Sequence, residues 1–71
     1  MVERYHYRGH AIHIELMAVA PQHVRWAWEI DGVHRAKSRT TLATEDVARS
    51  EALLYAQVMV ARLKSRAALA V

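Results

Sequence analysis

Three stretches of the chain alternate apolar and polar residues with period two, and one long stretch repeats with the period of a helix. The first alternating run, about 3–8, sets Tyr5 and Tyr7 on one face and Arg4, His6 and Arg8 on the other, and Gly9 breaks it. The second, about 10–19, puts Ile12, Ile14, Leu16 and Ala18 opposite Ala11, His13, Glu15 and Met17. A tight turn centred on Arg8-Gly9 pairs Tyr5 with Ile12 and Tyr7 with His10, an arrangement of rings against branched side chains that favours a hairpin. Pro21 lacks a ladder donor and marks the next turn. The third run, about 24–30, has the cleanest alternation: Val24, Trp26, Trp28 and Ile30 on one face, Arg25, Ala27 and Glu29 on the other.

Asp31-Gly32 is a hairpin signal. A two-residue loop there sets Arg35 opposite Trp28 and Lys37 opposite Trp26, on the apolar face. A three-residue loop ending in a bulge at Gly32 pairs Trp28 with His34 and Trp26 with Ala36 and turns both cations to solvent. Burying unpaired cations costs several kcal/mol, so the bulged turn is expected, with a fourth strand over about 33–39, and the two-residue loop survives only with the Arg35 and Lys37 stems laid over the indole faces.

Thr44 is a good helix N-cap, with Glu45 and Asp46 in the first turn and Arg62, Lys64 and Arg66 towards the other end, each of the sign that suits the helix dipole. The helix is expected over about 45–66. At ~100° per residue it carries two apolar stripes. Val47, Leu54, Val58 and Ala61 form one, read as the face that covers the sheet, with Glu51 at its rim. Leu53, Ala56, Val60, Leu63 and Ala67 form the other, with the three-four spacing of a coiled-coil seam. A chain of 71 residues has no second helix to cover that seam. A two-fold partner packed along Leu53, Ala56, Val60, Leu63 and Ala67 is therefore expected.

The expected fold is α+β: one domain, 1–71, an antiparallel meander of three or four strands packed on one C-terminal helix (β-β-β-β-α). Its core should hold Tyr5, Ile12, Ile14, Leu16, Val24, Trp26, Trp28, Ile30, Val47, Leu54, Val58 and Ala61. A core this small rarely supplies more than ~3–5 kcal/mol, so association would matter to stability.

Composition narrows the chemistry. The absence of Cys excludes a disulfide scaffold, a thiolate zinc site and a Cys nucleophile, and favours a reducing, cytoplasmic setting. Met1 to His6 does not read as a signal peptide, and the most apolar stretch, Ala52 to Ala61, is far short of the ~20 residues a bilayer span needs. Net charge is +3, carried mostly by Arg dispersed along the chain. His6 and His13 fall as diagonal neighbours on the solvent face near Glu15, but His10 and His13 point to opposite faces, so surface histidines rather than a metal site are expected. Ser38, Ser50 and Ser65 have no His-acid arrangement beside them, and no Gly-rich phosphate loop is present. Neither an enzyme nor a cofactor is expected. Arg4, Arg8, Arg25, Arg35 and Lys37 would give the solvent face of the sheet a basic character suited to phosphates. Against nucleic acid, the strand aromatics fall on the opposite face, so no ring is free to stack a base, and Glu15 and Glu29 dilute the charge.

The run Trp26-Ala27-Trp28-Glu29-Ile30-Asp31-Gly32, followed by a strand and a helix rich in Glu and Ala, resembles small bacterial proteins grouped as domains of unknown function. The order of elements is also similar to the strand-strand-strand-helix part of HicB-type antitoxins, which dimerise and neutralise an RNA-cleaving partner. It is similar again to the second half of double-stranded RNA-binding domains. The chain departs from the former in having no strand after the helix. It departs from the latter in lacking an N-terminal helix and in opening its helix with Glu45-Asp46, where that family has lysines. Neither resemblance assigns a functional residue. The reading that results is a non-catalytic interaction domain that self-associates as a homodimer through its helix or takes another protein partner. A nucleic-acid-binding or antitoxin-like module using the basic sheet face is the alternative, and no membrane association is expected.

Overall fold

In a computed structural model, which describes the backbone of residues 1–69 and the side chains of residues 1–63, the chain is an antiparallel sheet under one helix. The elements run β1 (Val2–Tyr7), β2 (His10–Ala20), β3 (His23–Ile30), β4 (His34–Lys37) and α1 (Glu45–Leu69). The strands lie in sequence order, β1-β2-β3-β4. This is the α+β meander that the alternation of the sequence implies, with a fourth strand shorter than the run of 33–39 and a helix extending beyond residue 66.

Each turn has a local cause. Arg8 and Gly9 both take positive φ, as a two-residue mirror-image turn requires, and the expected pairs Tyr5–Ile12 and Tyr7–His10 form. At the third turn Asp31 and Gly32 have φ of 54° and 71°, and the Val33 N–H donates to the Ile30 carbonyl. The loop is Asp31-Gly32-Val33, so Ile30 pairs with His34 and Trp28 with Ala36. The register differs by two residues from the one expected, which placed Trp28 against His34. A two-residue slip leaves every side chain on its own face, so Arg35 and Lys37 remain exposed on the open side. Thr44 caps α1: its hydroxyl accepts the Val47 N–H at 3.1 Å and its carbonyl accepts the Ala48 N–H at 3.0 Å.

The covered face of the sheet is built in rows across the strands. Tyr5, Ile12, Ile30 and His34 form one row; Glu3, Ile14, Trp28 and Ala36 form the next; Leu16 and Trp26 follow. Ile12, Ile14, Leu16, Val24, Trp26, Trp28 and Ile30 are all buried, while Tyr5 is half-buried at the margin.

The helix presents the other stripe from the one expected. Ala48, Ala52, Ala56 and Val60 are fully buried, with Leu53 and Met59 packed against the same core. Val47, Leu54 and Val58, read from sequence as core, are 50%, 59% and 41% exposed, and Ala61 is exposed as well. The seam assigned to a dimer is thus turned inward: Ala56 and Val60 bury against the sheet, Leu53 and Leu63 are half-buried, and Ala67 lies outside the residues whose side chains are described. Volume explains the exchange. Trp26 and Trp28 project side by side from β3, their rings stacked at 6.4 Å and 6°. Alanines spaced four apart let the helix come down close over them, whereas a stripe of Leu and Val would overpack the same space.

Candidate functional site: a groove between the helix and β4

The helix lies over β2 and β3 and leaves the flanking strands to be filled in other ways. On the β1 side the space is filled. Glu3, Tyr5 and Tyr7 face the helix, and Arg49 reaches down so that its Nε and Nη2 donate to the two Glu3 carboxylate oxygens, both at 2.7 Å. The Tyr5 hydroxyl donates to Glu3 at 2.6 Å. The Arg49 bonds and the Tyr5 bond together hold the Glu3 carboxyl down to about 2, and Glu3 in turn raises the Tyr5 phenol and the Arg49 guanidinium above their ordinary values. This clamp joins residues 46 apart in sequence, and no local pattern announces it.

The β4 side is open. There the residues continuing the covered rows are Ala36 and Ser38, too small to reach the helix. Ser38 is buried and occupied: its hydroxyl accepts the Trp26 N–H at 3.2 Å. Beyond it, Leu42 pairs with Val24, so Arg39 and Thr40 bow out from the sheet between these two anchor points. The result is a groove of about 740 Å³ with Trp26 and Trp28 at its base. Leu54, Tyr55, Val58 and Met59 line the helix side, and Ala36 lines the strand side. Tyr55 lies over Trp26 with ring centres 5.8 Å apart. The volume falls in the range of ordinary small-molecule sites, but the lining is almost as polar as it is apolar, unlike the mostly apolar lining such sites usually have.

Those polar groups are of two kinds. Glu51 sits at the margin, half-buried as its place beside the apolar stripe implies, and accepts the Trp26 indole N–H at 3.0 Å. Arg39 and Arg62 line the rim, both exposed, while Lys37 borders the groove from β4 with its side chain on the open face of the sheet. Buried Trp28, by contrast, has no acceptor for its indole N–H among the described residues. Buried tryptophan N–H groups ordinarily find one.

The open face of the sheet carries most of the residues considered for nucleic acid. Arg4, Arg25, Arg35 and Lys37 are exposed there. They do not form an uninterrupted basic surface: Arg4, His13, Glu29 and Arg35 make one row across the strands, with Glu29 and Arg35 paired at 3.4 Å. Arg8 does not join them. Its guanidinium lies 5.3 Å from the centre of the Tyr7 ring, which packs against the core on the other face. A shallower depression of about 520 Å³ lies on this open face over Ala27, between Glu15, Glu29, Arg35 and Lys37.

At one end of the sheet, His10 Nδ1 lies 2.5 Å from Asp31 Oδ2, while Asp31 Oδ1 accepts the Ala11 N–H at 3.0 Å. The His10 contact and the Ala11 N–H lower the Asp31 carboxyl. The pair ties the first hairpin to the third turn. His6 and His13 are diagonal neighbours on the open face, as the register requires. Among the described residues no group of three or more side chains is placed to hold a metal ion. No helix among them is long and apolar enough to cross a membrane. No family model, curated protein or solved structure matches the chain.

Proposed function

We propose that the protein is a non-catalytic interaction module that self-associates through the outer face of α1. The observation that carries this reading is the exposure of Val47, Leu54 and Val58, at helical spacing, on the side of α1 opposite the buried alanines. Scattered exposed apolar residues are normal, but a continuous stripe on one helix is the mark of an interface.

The partner favoured by the chain's own charges is a second copy in antiparallel orientation. The first half of α1 carries Glu45, Asp46 and Glu51 with one cation, Arg49, which already pairs with Asp46 at 2.7 Å, and the second half carries Arg62, Lys64 and Arg66. A two-fold axis at Leu54 sets Leu54 against its twin, Val47 against Ala61, and Asp46 against Arg62. Opposite charges and opposed helix dipoles then meet along the seam. This seam lies on the opposite side of the helix from Ala56 and Val60, which are fully buried against the sheet, with Leu53 half-buried beside them. A small core also benefits from association through mass action.

Sedimentation velocity over a dilution series tests the proposal. A concentration-dependent dimer is expected, and Leu54→Asp should shift it to monomer with an unchanged far-ultraviolet circular dichroism spectrum. A wild-type chain that stays monomeric at the highest concentration, or a Leu54→Asp variant that dimerises as well as wild type, overturns it.

A further inference from the structure

The sheet ends in two free edges, and they are not alike. On β4 only Arg35 and Lys37 direct their backbone groups outward, because His34, Ala36 and Ser38 pair with β3, and beyond Ser38 the chain bows away. A short edge set with cations is a common way of closing a sheet to further strands. β1 is six residues long and has neither proline nor bulge. The bonds exchanged between Met1 and Leu16 fix its phase: Glu3, Tyr5 and Tyr7 bond inward to β2, so Val2, Arg4 and His6 turn their N–H and C=O groups outward. Those outward groups have no partner among the described residues. A charge pointing inward can guard such an edge, because an added strand would bury it unpaired. Here that charge, Glu3, is already held by Arg49 and Tyr5, so covering it leaves nothing unmatched.

We propose that β1 takes up an extended acidic peptide segment of another protein as a fifth strand, with a carboxylate side chain opposite Arg4 on the open face. Main-chain bonds to Val2, Arg4 and His6 supply the affinity, and the alternate side chains supply the choice of partner. The open face of β1 carries Val2, Arg4 and His6, with His13 beside Arg4, and no acid stands on it. Glu15 lies one strand further in, opposite Val2, and Arg4 makes no ion pair among the described residues. A second copy is a poor occupant. Two β1 strands paired antiparallel, with both helices on one side of the sheet, offer Arg4 only Val2, Arg4 or His6 as its opposite residue. An acidic strand offers it the opposite charge, and its alternate β-branched residues continue the covered rows beside Tyr5 and Tyr7. The edge runs along the Arg49 flank of α1, apart from Val47, Leu54 and Val58, so the site does not depend on the dimer.

The probes are end-blocked eight-residue peptides of alternating threonine and glutamate, or of alternating threonine and lysine. Amide hydrogen exchange followed by nuclear magnetic resonance reads the edge residue by residue. In the free chain the outward Arg4 and His6 amides should exchange fast and the inward Tyr5 and Tyr7 amides slowly. Saturation with the glutamate peptide is expected to slow Arg4 and His6 by about ten-fold or more. It should bind about ten-fold more tightly than the lysine peptide, because a like charge replaces an opposite one across the new pair. Arg4→Glu should reverse that preference. His6→Pro removes an outward donor and leaves the ladder to β2 whole, since proline is tolerated where a strand N–H faces solvent, and should weaken the glutamate peptide about ten-fold. Should the proline variant fail to fold, the Arg4→Glu reversal still decides the matter. Each titration is repeated in Leu54→Asp, so that loss of self-association and loss of peptide binding are read separately. Equal affinity for the two peptides overturns the proposal, as does binding that leaves Arg4 and His6 unprotected. Protection of those amides that rises with protein concentration alone, in Leu54→Asp as in wild type, would show the edge filled by a second copy and overturns it too.

Discussion

Val60→Ala and Val58→Ala remove the same two carbons from residues two positions apart on one helix, yet the structure assigns them very different consequences. Val60 has no solvent exposure and packs into the cluster formed by the tryptophans and the β2 isoleucines, whereas Val58 is 41% exposed. At about 0.8 kcal/mol per buried carbon, truncating Val60 loses about 1.6 kcal/mol of transfer free energy. The cavity left under a helix held close by its alanines brings the loss to about 2–3 kcal/mol. Truncating Val58 loses under about 1 kcal/mol, because much of that side chain is already in water. The gain in helix propensity from Val to Ala, a few tenths of a kcal/mol, applies to both and cancels in the comparison. The expected difference of about 2 kcal/mol corresponds to about 8–16 °C in Tm for a domain of this size. Thermal and urea unfolding followed by circular dichroism would measure it, at protein concentrations that span the dimerisation range and extend well below it. A Val60 located at a seam between chains would show a cost that fades on dilution. A Val60 located against its own sheet shows a cost that persists. Equal losses for the two variants in the dilute limit, or a Val60→Ala loss under about 0.5 kcal/mol, would refute the assignment of the buried face.

Two further outcomes follow from the charged groups. The Glu3 carboxyl is held down to about 2 by Arg49 and Tyr5, below its ordinary value of 4.5. Its contribution is therefore complete above about pH 4.5 and is lost as pH falls towards 2. Glu3→Gln should flatten that part of the acid-unfolding curve. At neutral pH it should cost about 1–2 kcal/mol, less than the full linkage value because the pair is partly solvated; an unchanged acid limb would show that the clamp carries no stability. On the open sheet face, the Glu29–Arg35 pair and the diversion of Arg8 onto Tyr7 leave a diluted charge. Elution from heparin at low salt, little changed by Arg4→Gln with Arg25→Gln, is the expected result. Tight, steeply salt-dependent binding to RNA that those substitutions abolish would favour a nucleic-acid module instead.

Period-two alternation is a property of the backbone, so the sequence by itself determined which side chains of each strand share a face. It placed Ile12, Ile14, Leu16, Val24, Trp26, Trp28 and Ile30 together in the core. It also placed the first turn at Arg8-Gly9 and the helix cap at Thr44. The third turn shows how far that reasoning reaches: the register came out two residues away from the expected one, and the faces were right because their parity was right. Helical periodicity likewise revealed two apolar stripes on α1 without saying which one meets the sheet. That choice depends on the volume already occupied by Trp26 and Trp28, a quantity set across strands and invisible along the helix, and it favoured small Ala48, Ala52 and Ala56 over bulkier Val47, Leu54 and Val58. The Glu3–Arg49 clamp and the groove were decided at the same level. Both arise where the helix overhangs the outer strands: Glu3, Tyr5 and Tyr7 fill the gap on one side, while Ala36 and Ser38 leave it open on the other. Pairing distant residues across such a gap is a matter of packing in three dimensions, and only the tertiary structure could settle it.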